Sequence, residues 1–193
     1  APFLNRRNVC VQYSQIPTKH SCGSRNVRKI ITNAGRKAME GEFMVLIRDA
    51  VVNDAHDIYL LNKNDLGYDF PEEKTKTQLE KILKSSTDRI FAAEDDGRVV
   101  GYIQVENYEC CYSESLKNVM ALAVDGNYRC KGIGRTLIKA AEEWARQTGS
   151  AGIRLTSGMN RTGAHQFYQS CGYTCRKESK NFFKLLDTEE NRV

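Results

Sequence analysis

From residue 45 onward the chain switches repeatedly between two hydrophobic periods. Residues 45–48 form a short apolar run of strand type. Asn53 and Asp54 offer a helix N-cap, with Ala55, Ile58, Tyr59 and Leu61 at helical spacing behind it. The stretch 65–71 reads as a loop. Residues 72–84 predict a second helix with Leu79, Ile82 and Leu83 as its apolar stripe. Three strand-like runs follow, at 89–94, 99–106 and 118–125; Asp95-Asp96-Gly97 makes a tight hairpin turn between the first two, and a longer polar loop spans 107–117. The clearest helix is 132–148, where Ile133, Leu137, Ala140, Ala141, Trp144 and Ala145 recur three and four residues apart. A short buried strand is expected at 153–156, then a helix at 161–171 with Ala164, Phe167, Tyr168 and Cys171 on one face. Gly172 is placed to end that helix in the left-handed conformation. Residues 173–176 and 182–186 read as a closing strand pair. The order βααβββαβαββ predicts a mixed α/β domain over 44–193 without internal repeats.

The first 43 residues lack this periodicity, and charge separates them further. Of 29 Lys and Arg, eight fall there with only two of the 24 Asp and Glu, leaving 21 basic and 22 acidic residues afterwards. The net charge of +5 therefore sits in the arm, and the domain is close to neutral. A nucleic-acid-binding role finds no basic stripe after Met44. Residues 1–43 are expected to be a leader or cloning-derived extension, with a genuine basic arm as the alternative. The longest apolar run, 119–124, is far short of a membrane span, and a soluble cytoplasmic protein, monomer or homodimer, is expected. Seven cysteines cannot all pair within the chain, and no Cys/His spacing suits zinc; reduced thiols and no metal are expected.

The segment Val124-Asp-Gly-Asn-Tyr-Arg-Cys-Lys-Gly-Ile-Gly-Arg joins a strand end to the start of the long helix. Amides at a helix start lack intrahelical partners and carry the positive end of the dipole, so a phosphate suits them. Arg129, Lys131 and Arg135 add positive charge. A nucleoside-triphosphatase loop is excluded by the missing Gly-Lys-Ser/Thr, and a dinucleotide fingerprint by Leu137 where a third glycine would stand. Arg129-x-x-Gly132-x-Gly134 after Leu-Ala-Val resembles the acyl-CoA loop of the GNAT superfamily of N-acetyltransferases. Asn160, Ala164, Phe167, Tyr168, Gly172 and Tyr173 are similarly spaced to that family's second signature. The resemblance spans about residues 44–186.

It implies a central mixed sheet splayed at an acyl-CoA site. Leu122, Ala123 and Val124 would pair with the pantetheine, one amide donating to the thioester carbonyl. Arg129, Cys130, Lys131, Gly132, Ile133, Gly134 and Arg135 would hold the pyrophosphate, mostly through backbone N–H; Cys130 is then a loop residue, not a nucleophile. Asn160 would hold the pantetheine arm, or else cap its helix. Tyr168 would be the general acid that protonates the leaving thiolate. A carboxylate would deprotonate the amine, Glu106 first, then Glu109 or Glu114. His165, one position off the apolar stripe, is expected at the surface.

The resemblance also places the acceptor between the loop joining the first two helices and the loop after the third strand. Asp65, Asp69, Glu72 and Glu73 lie in the first, and Glu106, Glu109 and Glu114 with Tyr108 and Tyr112 in the second. Such a rim would attract a cationic amine. The implied activity is direct acetyl transfer from acetyl-CoA to a primary amine of a cationic small molecule. The alternatives are a lysine or protein N-terminus as acceptor, or a CoA-binding module without turnover.

Overall fold

The structure, a computed structural model, describes residues 45–186. Residues 1–43, with the expected arm, lie outside the described residues. The strands are β1 (Leu46–Asp49), β2 (Asp88–Asp95), β3 (Arg98–Tyr108), β4 (Leu116–Val124) and β5 (Gly152–Leu155); the helices are α1 (Ala55–Leu61), α2 (Glu72–Lys84), α3 (Ile133–Gln147) and α4 (Thr162–Ser170). Contacts divide the chain into one unit ending at Thr156 and another starting at Ser157.

In the first unit one sheet runs in the order β1-β2-β3-β4-β5. Its first three junctions are antiparallel and the last is parallel, so the sheet is mixed, as expected. The β2–β3 turn places Asp96 at φ 48° and Gly97 at φ 79°. Two left-handed residues in a two-residue turn match the right-handed twist of the strands they join. Successive β3 side chains take opposite faces. Tyr102 joins Ala55, Ile58, Leu61 and Leu79 in the core beneath α1 and α2. Gly101 faces the other way, toward α3: a Cβ there would lie 3.4 Å from Ile133 and 2.9 Å from the Ala123 carbonyl. Its missing side chain therefore lets the end of β4 and the start of α3 close on β3. On the α3 side the packing is complete, with Ile103, Leu137 and Ile138 at most 1% exposed.

Arg48 and Asp54 clamp the entry to α1. The Arg48 guanidinium donates to both Asp54 oxygens at 2.7 and 2.8 Å, and its Nε donates to Glu94 at 2.5 Å. Asp54 also accepts from the Val51 amide at 2.8 Å, so this carboxylate closes the turn before the helix and makes no side-chain cap bond to α1, although it stands at the expected N-cap position. These carboxylate bonds hold the Arg48 guanidinium above its ordinary pKa, against the opposing effect of burial. Removing one member of a buried pair strands the other charge. Asp54→Ala is expected to cost about 3 kcal/mol, lowering Tm by roughly 10 °C. Thermal unfolding followed by circular dichroism checks this; a shift below 2 °C, on the order of a surface substitution, would contradict the clamp.

In the second unit α4 ends as expected. Gly172 has φ 93°, its amide reaches the Gln169 carbonyl at 3.0 Å, and the Tyr173 amide reaches Tyr168 at 3.1 Å. This is a Schellman closure. The expected closing strand pair is not formed. Residues 173–186 carry no strand, and Phe182, Phe183, Leu185 and Leu186 are 68–87% exposed. An extended apolar run becomes a strand only when its backbone finds a ladder partner, and these residues have none among the described residues. The element order of the described chain is therefore βααβββαβα.

Candidate functional site

The first unit opens at β4. Against β3 its register runs from Leu116 to Val124, but Gln104 faces Ala121 while Val105 faces Val119. Met120 is thus an extra residue, a bulge, and it is 53% exposed. Against β5 the pairing covers only Leu116 to Val119 and stops at Leu155. Beyond the bulge, residues 120–124 have a strand partner on one side only among the described residues. The splay expected from the resemblance is present, and Leu122, Ala123 and Val124 lie on this free edge.

The loop after β4 is held from both ends. Asp125, 8% exposed, accepts the Asn127 amide at 2.9 Å and the Arg98 guanidinium at 2.9 Å. Cys130 and Gly132 take positive φ, 60° and 86°, and α3 begins at Ile133. The first intrahelical bond to Gly132 comes from the Thr136 amide, 3.0 Å from its carbonyl. The amides of Ile133 and Gly134 precede that bond and have no carbonyl to reach within the helix. Gly132 and Gly134 bear no Cβ, and a Cβ at Gly132 would meet nothing within 4 Å. Lys131 reaches over the Tyr128 ring at 4.7 Å. Arg129 differs from expectation: its guanidinium donates to Asp65 at 2.8 Å and to the Val124 carbonyl at 3.3 Å. Its side chain ties the loop to the α1–α2 connection.

That connection changes the expected acidic rim. α1 runs into a π turn, Asn62–Leu66, closed by Gly67 at φ 80°. Asp65 pairs with Arg129, Asp69 with Lys63 at 3.2 Å, and Glu72 with His56 at 2.9 Å. Of the four carboxylates expected there, Glu73 alone meets no basic side chain among the described residues. The pairing partners were not visible as such in sequence, because Arg129 lies 64 positions from Asp65. In the second region Glu109 accepts from Ser115 at 2.6 Å, Tyr108 and Tyr112 hydroxyls are 3.4 Å apart, and Glu114 is exposed. Lys117, just beyond this region on β4, points into the fold. It is 2% exposed, bonded to the Asn107 amide oxygen and seated 4.0 Å from the Trp144 ring, and burial lowers its pKa.

Glu106 lies on the β3 face that carries Tyr102 and Gln104, opposite Asn118, whose amide donates to it at 3.0 Å. Beside this row, between α1, α2 and the sheet, is a cavity of about 210 Å³. Its polar lining is Asn62, Thr75, Gln78, Tyr102 and Gln104. The Tyr102 hydroxyl donates to Asn62, and burial pushes its pKa up. None of these residues was expected at the site. The available signal was Gln104, a polar residue pointing inward from an otherwise apolar strand.

In the second unit, the turn before α4 presents Asn160. Arg161 stands at the N-cap and no side chain caps the helix, so Asn160 is not a cap, and it is exposed. His165 is half-buried rather than at the surface: its Nε2 bonds the Gly158 carbonyl at 3.0 Å and fixes the turn. Tyr168 packs edge-on against Phe167 and Tyr173, with ring centroids 5.3 and 6.0 Å away. Burial is the main cause raising its pKa, and its hydroxyl has no hydrogen-bond partner among the described residues. Such a phenol stays protonated through neutral pH.

Among the described residues no cluster of three or more His, Cys, Asp or Glu could hold a metal, and no helix is long and apolar enough to cross a membrane. Cys110, Cys111, Cys130, Cys171 and Cys175 are free thiols.

Residues 54–173 match the model of the acetyltransferase (GNAT) family. An uncharacterised N-acetyltransferase of Methanocaldococcus jannaschii is 26% identical over 110 residues, 54% of this chain and 47% of that protein. The chain thus spans about half the length of that relative. The streptothricin acetyltransferase of Escherichia coli is 25% identical over 128 residues, 64% of this chain and 70% of its own. Among solved structures, the aminoglycoside N-acetyltransferase AAC(6')-Iy in complex with CoA superimposes with a TM-score of 0.67 at 19% identity, over 76% of this chain and 99% of its own.

Proposed function

Because this chain belongs to the GNAT acetyltransferase family, we propose that it moves an acetyl group from acetyl-CoA to a primary amine of a cationic small molecule, directly and within a ternary complex. The observation that carries this reading is the free edge of β4 running into a glycine loop at the start of α3. The residues fit the donor. The backbone groups at 120–124 that face away from β3 suit an amide-bearing arm, and the amides of Ile133 and Gly134 suit its pyrophosphate. Lys131 and Arg135 lend charge there. Arg129 acts through the loop it holds, since Asp65 engages its guanidinium. Acetyl-CoA supplies the activated thioester when bound.

The chain's own groups then divide the work. An amide of the Leu122–Val124 edge donates to the carbonyl, with no reorganisation needed as charge develops. Glu106, oriented by Asn118, takes the amine's proton, directly or through one water. Asn160 binds the pantetheine arm. Tyr168 returns a proton to the thiolate, which a phenol kept protonated by burial can do. No covalent enzyme intermediate is involved, so holding amine and thioester together provides much of the acceleration. The acceptor is a small molecule, in keeping with relatives named for streptothricin and aminoglycosides. Initial velocities measured at varied acetyl-CoA and amine are expected to give intersecting double-reciprocal lines. Parallel lines would mean an acyl-enzyme and would overturn direct transfer.

A further inference from the structure

We infer that the acceptor carries its charge only at the amine to be acetylated, and that its far end is an uncharged, hydrogen-bonding tail held in the cavity between α1, α2 and the sheet. The inference rests on the acetyltransferase reading and narrows its substrate class.

Three observations carry it. First, no charged residue lines the cavity: half of its lining is amide or hydroxyl and the rest is apolar, Phe70 included. A second ammonium placed there would lose its water with no carboxylate to meet it. Of the nearby carboxylates, Asp65 and Asp69 are taken by Arg129 and Lys63, and Glu72 by the His56 ring. Second, the polar groups have bonding capacity to offer. The side-chain amides of Gln78 and Gln104 make no hydrogen bond with a described residue, and Asn62 keeps its NH₂ after accepting from Tyr102. An uncharged amide or hydroxyl satisfies such groups; a bare alkyl chain leaves them unpaired. Third, the cavity is in register with the donor edge. Gln104 lies opposite Ala121, the residue after the Met120 bulge, so one strand spacing of about 4.8 Å separates it from the free edge of β4. Glu106 is two residues along the same face, placed for the amine while Gln104 meets the tail.

The test uses three amines of matched length: 6-aminohexanamide, hexylamine and 1,6-diaminohexane, with amide, methyl and ammonium tails. Their binding to the full chain saturated with CoA is measured by titration calorimetry, which needs no turnover. The amide is expected to bind at least tenfold more tightly than either of the others. Gln104→Leu should remove most of that preference while CoA affinity is retained. Gln78→Leu, at an exposed helix position, should reduce the preference severalfold and serves if the first variant does not fold. Gln104→Glu should reverse the order in favour of the diamine. Tighter binding of the diamine or of hexylamine to the unsubstituted chain would overturn the inference. So would no binding of any of the three, or a preference unchanged in the variants. If the amide is preferred but acetyl-CoA releases no thiol with any amine, the acetyltransferase reading fails while the cavity's selectivity stands.

Discussion

Replacing Gly132 with valine is expected to raise the KM for acetyl-CoA more than 100-fold, equivalent to about 3 kcal/mol of lost binding. Gly132 adopts φ 86°, where a β-branched residue is strained by roughly 1–3 kcal/mol. The packing around it does not object, since a Cβ would meet no heavy atom within 4 Å. On the proposed reading this open space is the approach to the amides of Ile133 and Gly134, and the side chain would stand where the pyrophosphate is proposed to bind. Gly132→Ala should lose less than valine, because only the strain and one methyl are added. Thermal melting separates the two contributions: a valine variant that still melts cooperatively, a few degrees lower, yet no longer saturates with acetyl-CoA is the expected result. An unchanged KM would remove the loop from the donor site.

Tyr168→Phe is expected to lower kcat about 100-fold and to leave the KM for acetyl-CoA within about threefold. The substitution preserves the ring contacts with Phe167 and Tyr173 and removes only the hydroxyl. No described residue loses a hydrogen bond by it, so stability should hardly change. The pH profile offers a second readout. A donor acts only while protonated, that is, below its pKa. Burial raises the Tyr168 pKa, so the alkaline fall in kcat due to this group should begin above the ordinary tyrosine value near 10. Loss of that limb in the phenylalanine variant would identify the acid. A kcat unchanged by the substitution would make Tyr168 a core aromatic and nothing more.

Local signals were readable before the structure, and long-range ones were not. Residues 72–84 form α2 to the residue, because a helix of good formers with one apolar stripe needs little from elsewhere. Gly97 and Gly172 have the positive φ expected of their turns, since that demand is local too. The closing strand pair failed for the opposite reason: extended apolar residues at 182–186 say nothing about whether a partner edge exists. At the site, the glycine loop and the edge Leu122–Val124 were legible as a motif. The Met120 bulge was not, because it exists only in the register with β3. Of the acidic rim the sequence shows the carboxylates, but not that Arg129, Lys63 and His56 reach three of them. The cavity around Gln104 required α1, α2, β2 and β3 to be brought together.

The central claim is acetyl transfer from a thioester to an amine, and its most direct measurement is of both products at once. The full chain is incubated with acetyl-CoA and a panel of primary amines, with free thiol and acetylated amine quantified in the same sample. One thiol per acetylated amine, at a rate that saturates in both substrates, is the predicted result. Saturable CoA binding with neither product formed from any amine of the panel would contradict it.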